Sequence, residues 1–331
     1  MLKQGAPISD ALETGVRDTT RDYQMDNIRC LMMFFVVFAH LIETFHGNDF
    51  SMCLYRGIYT FHMPVLVFIS GYFARYKPKA VLRKLLLPYL LFQLLYSIFA
   101  IYVLNEKKVE LQFTKPYWLL WYLLALFFFT LLLPLFQTDK RRVAIRNLLI
   151  LFLLALAAGF DKTIDYDLSL SRVLVFLPFF IAGHYCAVFS GRSSLRRHRR
   201  MAAACAAGII VALEILIACL QVPFYVFYGA LSYPAQDSNV LIRLLFLLCA
   251  SAWCVFFLCT VSGKELRVVT GIGQRTLPVY LLHGFVQRGI LSLELLQGDA
   301  YLSLLCAAGI TIVLLLILSA PPLHKGFKKL F

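Results

Sequence analysis

Four ionisable residues fall on one stretch of the chain: Asp26, Arg29, His40 and Glu43, in "MDNIRCLMMFFVVFAHLIETF". A helix turns about 100° per residue, so the eleven steps from Arg29 to His40 end about 20° past three full turns. The four side chains therefore share one narrow face of an otherwise apolar helix. Glu43, three residues after His40, is placed to hold one imidazole nitrogen and make the other a better base. Arg29 sits at the start of the run, and His40 lies roughly 16 Å further along the axis. Acid–base chemistry at His40, with a cation at the helix entrance, is what these residue types can do. The competing reading is a snorkelling arginine and a packed histidine.

The next apolar stretch, "YTFHMPVLVFISGYFARYKPK", brings His62 in from the opposite end. A short connection makes the two helices neighbours and sets His62 at a depth similar to that of His40. Ser70 and Gly71 suit close helix packing. Further polar groups fall in later runs: Glu214 in "VALEILIA", His283 in "VYLLHGF", and Arg288 with Glu294 near the end of the same run. Glu214 reads either as a helix-pairing residue or as part of a substrate site, and it is carried as a substrate-binding candidate with His283.

The elements that must position these groups are membrane helices. The 331 residues are 60% hydrophobic and 15% charged, with mean hydropathy +0.76. Soluble domains carry about 45–50% apolar and about 25% charged residues. There are ten apolar runs, from 28–46 and 55–75 to 276–296 and 301–320. The fifth, 145–160, is short, and the ninth, 276–296, is interrupted by Arg288 and Glu294. The expected fold is all-α: a polytopic transmembrane bundle of about ten spans. The net charge of +14 resides mostly in alternate connections, as the positive-inside rule requires, so both termini are expected to be cytoplasmic. The same clustering argues against a nucleic-acid partner; the bilayer is the partner that composition implies. Residues 1–27 are polar without a cleavage-site pattern, which makes the first run an anchor. The nine cysteines show no CxxC or Cys/His ligand spacing, so no metal is expected.

An Asp-x-x-Arg/Lys-x10-His first helix resembles that of the acyltransferase-3 family of integral-membrane acyltransferases. Asp26, Arg29 and His40 fit it. "FHMPVLVFISGYFARYKPK" followed by "RKLLLPYL" is similar to the next family block, particularly in the branch of fucose 4-O-acetylase-like and intercellular-adhesin proteins. "YWLLWYLLALFF", "LPFFIAGHYC" and "GQRTLPVYLLHGF" follow in the expected order. Ala39 stands where that branch often has glycine. The resemblance implies an acyltransferase domain over 28–320, between a cytoplasmic segment 1–27 and a basic tail 321–331, in a bacterial inner membrane. It implies an acyl group, acetyl first among candidates, moved from acyl-CoA (acetyl-CoA) to a hydroxyl of a saccharide or related cell-envelope molecule, as in polysaccharide modification. It makes His40 the general base, oriented by Glu43 or Asp26, with His62 polarising the carbonyl or serving as a second acid/base. Arg29, Arg75, Arg83 and Lys84 would hold the donor phosphates, although positive-inside bias also explains the last three. A saccharide exporter of the same fold, without acyl transfer, is the alternative.

Overall fold

The computed structural model describes residues 22–43, 49–106, 110–189, 197–293, 295–296 and 298–331. Most of the expected N-terminal segment 1–27 and Glu294 lie outside the described residues. The described chain is helical, with no strand among the described residues.

Twelve helices are described. They are α1 (Tyr23–Ile42), α2 (Asp49–Phe73), α3 (Pro78–Val103), α4 (Trp118–Phe136), α5 (Arg141–Ala157) and α6 (Leu170–Val188). After them come α7 (Arg199–Cys219), α8 (Val240–Thr260), the short α9 (Arg267–Gly273), α10 (Thr276–Ser292), α11 (Ala300–Leu318) and α12 (Pro321–Leu330). Eight are long and apolar enough to cross a bilayer. The other two expected spans, the fifth and ninth runs, are α5 and α10. Each has 17 residues, about 25 Å of helix, short of the roughly 30 Å hydrocarbon core.

Local chemistry sets several helix starts. Asp22 caps α1 by accepting from the Met25 amide, Asn239 caps α8 through the Leu241 and Ile242 amides, and Asp299 caps α11 through Tyr301 and Leu302. Each satisfies amides that have no intrahelical partner.

α1 is the axis of the bundle, packed by α2, α9, α10 and α11. At its first turn Gln24 Nε2 donates to the carbonyls of Leu258 and Val261, each at 2.9 Å. Asn27 Nδ2 donates to Ser262 and Lys264, and Thr270 Oγ1 donates to Asn27 Oδ1 at 2.7 Å. These bonds tie the α8–α9 connection to α1. α2 and α6 meet through glycine: a Cβ on Gly71 would collide with the Phe180 carbonyl, and one on Gly183 with the Phe68 carbonyl. This is the small-residue contact that lets membrane helices approach closely. α7 and α11 carry exposed apolar rows, among them Ile209, Ile215, Leu305 and Ile317, which suit lipid contact.

The expected tail 321–331 is a docked helix. In α12, Phe327 packs on Phe92 and Phe331 is buried, while Lys325, Lys328 and Lys329 stay exposed.

Candidate active site

α1 carries Arg29 near one end of the bundle and His40 near the other. The His40 Nδ1 atom lies 3.5 Å from Glu43 Oε2 and has no closer hydrogen-bond partner among the described residues. The carbonyl of His40 accepts from Gln287 Nε2 at 2.9 Å, which clamps this turn of α1 to α10. The imidazole meets the edge of Trp118 at 4.4 Å and stacks on His283 at 5.6 Å.

His283 is fully buried. Its Nδ1 is 2.9 Å from the Val279 carbonyl, and His62 Nδ1 is 2.7 Å from the Ile58 carbonyl. A carbonyl oxygen can only accept, so both rings carry their proton on Nδ1, and in the neutral ring Nε2 is left as a lone-pair acceptor. His283 Nε2 has no partner among the described residues. His40 is within electrostatic range of both rings. Three histidines from α1, α2 and α10 thus converge.

Tyrosines surround them. Tyr55 and Tyr228 share a hydroxyl–hydroxyl bond of 2.8 Å, and the Tyr59 ring lies 4.6 Å from His62 and 5.0 Å from Tyr228. Glu43 is within electrostatic range of all three tyrosines. Arg172, buried in the first turn of α6, lies over Trp121 at 4.9 Å and Tyr166 at 5.2 Å. Trp118 has a positive φ of 35°, a strained conformation for a bulky residue, of the kind that clusters at functional sites. Gln93 holds the approach to it, accepting from the Tyr117 amide at 2.8 Å and donating to the carbonyls of Gln112 and Lys115.

A line of polar groups joins the two ends of α1. Arg29 is within electrostatic range of Tyr122, whose hydroxyl pairs with Ser70 at 2.7 Å. The Tyr122 ring lies 5.4 Å from Tyr280, and Tyr280 lies 6.4 Å from His283. Arg29 itself sits 4.6 Å over the Phe73 ring and 3.8 Å from Asp26. Arg75, Arg83 and Lys84 are exposed, in the α2–α3 connection and the first turns of α3 at that end.

One expectation needs correction. Asp26 is fourteen residues from His40, about 21 Å along the axis, and its carboxylate faces Arg29 and Gln274 (3.2 Å). Of the two carboxylates expected to orient His40, only Glu43 is in reach. Glu214 is not at the histidine cluster. Its Oε1 accepts from Thr60 at 2.6 Å, Trp253 at 3.4 Å and Cys249 at 3.5 Å. That pairs α2, α7 and α8, in line with the helix-pairing reading. Sequence reasoning passed over Trp118, Tyr59 and Arg172. The available signal for Arg172 was a cation at the edge of an apolar run.

The acyltransferase-3 family model, described as an acyltransferase domain, matches residues 22–320. No curated protein and no solved structure matches the chain significantly. The match runs from the cap of α1 to the end of α11 and takes in every residue of the histidine cluster. The chain belongs to the acyltransferase-3 family and is a membrane acyltransferase.

Proposed function

We propose that this protein transfers an acyl group, acetyl first among candidates, from acyl-CoA to a hydroxyl of a saccharide or related cell-envelope molecule, with His40 as general base. The observation that carries the reading is the pairing on α1: Arg29 at one end, His40 against Glu43 at the other, with polar groups between them.

Arg29 binds the donor's phosphates, for which a guanidinium fork is suited, and Arg75, Arg83 and Lys84 supply exposed charge around it. The long, thin pantetheine arm follows the line past Tyr122 and Tyr280 and presents its thioester near His40. His40 Nε2 takes the acceptor hydroxyl proton as that oxygen attacks the thioester carbon. The tetrahedral intermediate collapses, the carbon–sulfur bond breaks, and the imidazolium returns the proton to the thiolate. Glu43 favours the imidazolium form during the transfer. Polarising the carbonyl would require a donor at His62 Nε2, yet its ring proton is engaged by Ile58. That favours the second expected role, proton acceptor and hydroxyl-orienting group.

The test is incubation of the purified protein in lipid nanodiscs with labelled acetyl-CoA, with and without candidate glycans. Label transfer that vanishes in His40→Ala is the expected result. Full transfer by His40→Ala at normal protein levels would overturn the base assignment.

A further inference from the structure

At the His40 end of the bundle, several arginines leave the water. Arg243 is 1% exposed, and its Nη1 and Nη2 donate to the carbonyls of Ala155 and Leu231. Arg288 pairs with Glu106 and donates to Tyr117. Both are consumed by the fold. Arg172 is different. It is 9% exposed, and its only hydrogen bond among the described residues runs from Nε to the Tyr228 carbonyl at 3.3 Å. Nη1 and Nη2 donate to no described residue, and no carboxylate among the described residues pairs with it.

A guanidinium withdrawn from water without an anion is costly, and such charges inside membrane proteins mark ligand or ion paths. The groups in range of this one are the tyrosines that surround the histidines: Tyr59 and Tyr228 on one side, Tyr280 on the other, with Tyr166 at the rim. Trp121 and Tyr166 supply flat aromatic faces beneath it. Arg172 also lies in the first turn of the 19-residue helix α6, where the macrodipole adds positive potential. Ser169, at the cap of the same helix, has a buried hydroxyl with no partner among the described residues. The nearby acidic side chains are engaged elsewhere: the exposed Asp167 faces Lys115 at 3.9 Å, and the half-buried Asp165 accepts from the Asp167 amide.

The donor's phosphates are held at the other end of α1 in the proposed reaction, so they do not account for this cation. We infer that Arg172 is an oxyanion subsite for the acyl acceptor: the acceptor is an anionic glycan whose carboxylate or phosphate takes the Nη1–Nη2 fork while its sugar ring stacks on Trp121 or Tyr166. Anchoring the anion there fixes which hydroxyl reaches His40. Arg172 is then a specificity-determining residue, and neutral saccharides leave its fork unpaired.

This rests on the acyl-transfer reading of the histidine cluster, and the experiment separates the two. Wild-type protein in nanodiscs is given labelled acetyl-CoA and two matched acceptor pairs: a hexuronate oligosaccharide with its carboxyl-reduced counterpart, and a phosphorylated oligosaccharide with its dephosphorylated counterpart. At least tenfold higher kcat/KM for the anionic member of one pair is expected, and the pair that shows it identifies carboxylate or phosphate. Arg172→Gln brings that ratio near one, and Arg172→Lys recovers part of it. The wild-type ratio needs no variant and stands if a variant misfolds. Equal use of both members of each pair, use of none of the four, or a ratio unchanged in Arg172→Gln overturns the assignment. Acyl transfer surviving in His40→Ala overturns the underlying reading instead.

Discussion

His40 and His283 stack across the α1–α10 interface, their ring centres 5.6 Å apart and their planes 24° from parallel. The Nδ1 of His283 is committed to the Val279 carbonyl, so its Nε2 can receive a hydrogen bond from the reacting groups and gives none in the neutral ring. His283→Asn keeps an amide near Nδ1 and removes Nε2. We expect kcat to fall by about 10²-fold, the scale of a lost acid–base partner, with normal amounts of protein in the membrane. Single-turnover transfer of labelled acetyl checks this, and a rate within threefold of wild type would remove His283 from the site.

Glu43 and Asp26 separate the two ends of α1 kinetically. Glu43→Gln removes the charge 3.5 Å from His40 and is expected to lower kcat about 10–100-fold with little change in donor KM. Asp26→Asn loosens Arg29 and Gln274, so its effect falls on donor KM. Steady-state kinetics of both variants test the split, and the reverse pattern would place the donor at the wrong end.

The pattern of legibility follows from distance along the chain. Arg29 and His40 could be placed together because one helix fixes their spacing, whatever surrounds it. His283 and His62 were visible as polar residues in apolar runs, but the approach of His283 to His40 depends on how α10 packs, which no local period encodes. Glu214 is ambiguous in the sequence because a mid-span carboxylate reads the same whether its donors are protein or ligand; its donors here, Thr60, Trp253 and Cys249, lie on α2 and α8, far away in the chain. Arg172 gives no such mid-span signal, because at the edge of a run a cation reads as part of the connection. Its surroundings come from α4 and the segment around Tyr228, far away in sequence.

The glycine contacts give a stability test. Gly71→Ala and Gly183→Ala each drive a methyl group into a backbone carbonyl of the partner helix. Overpacking of this kind costs about 1–3 kcal/mol, which lowers Tm by several degrees in a protein of this size. Gly57, with open space around a new Cβ, is the control: Gly57→Ala leaves Tm unchanged or slightly higher. Thermal unfolding of the detergent-solubilised variants compares them.

His324 makes the docking of α12 pH-dependent. Its pKa lies below the ordinary histidine value, first through burial, then through Lys328 and Arg275. With a folded-state value below the unfolded one of about 6.5, its contribution is complete above that pH and is lost as pH falls through the lower folded value. After correction for intrinsic exchange, which slows as pH falls, the protection of amides in 321–331 should therefore drop from pH 7.5 to pH 5, and His324→Asn should flatten the response. Equal pH dependence in the variant would rule out His324 as the cause.

The reciprocal contacts of Gly71 and Gly183 also divide the molecule into two jaws. Backbone meets backbone at these two points, which joins α2 and α6 into one block, and that block carries Tyr59, His62 and Arg172. The opposing block is α1 with α10, joined by Gln287 at the His40 carbonyl, and it carries Arg29, His40 and His283. The acceptor would then be gripped by one jaw and the donor by the other. A closure that brings thioester and hydroxyl together would then run along the α1–α2 interface, where the two blocks meet.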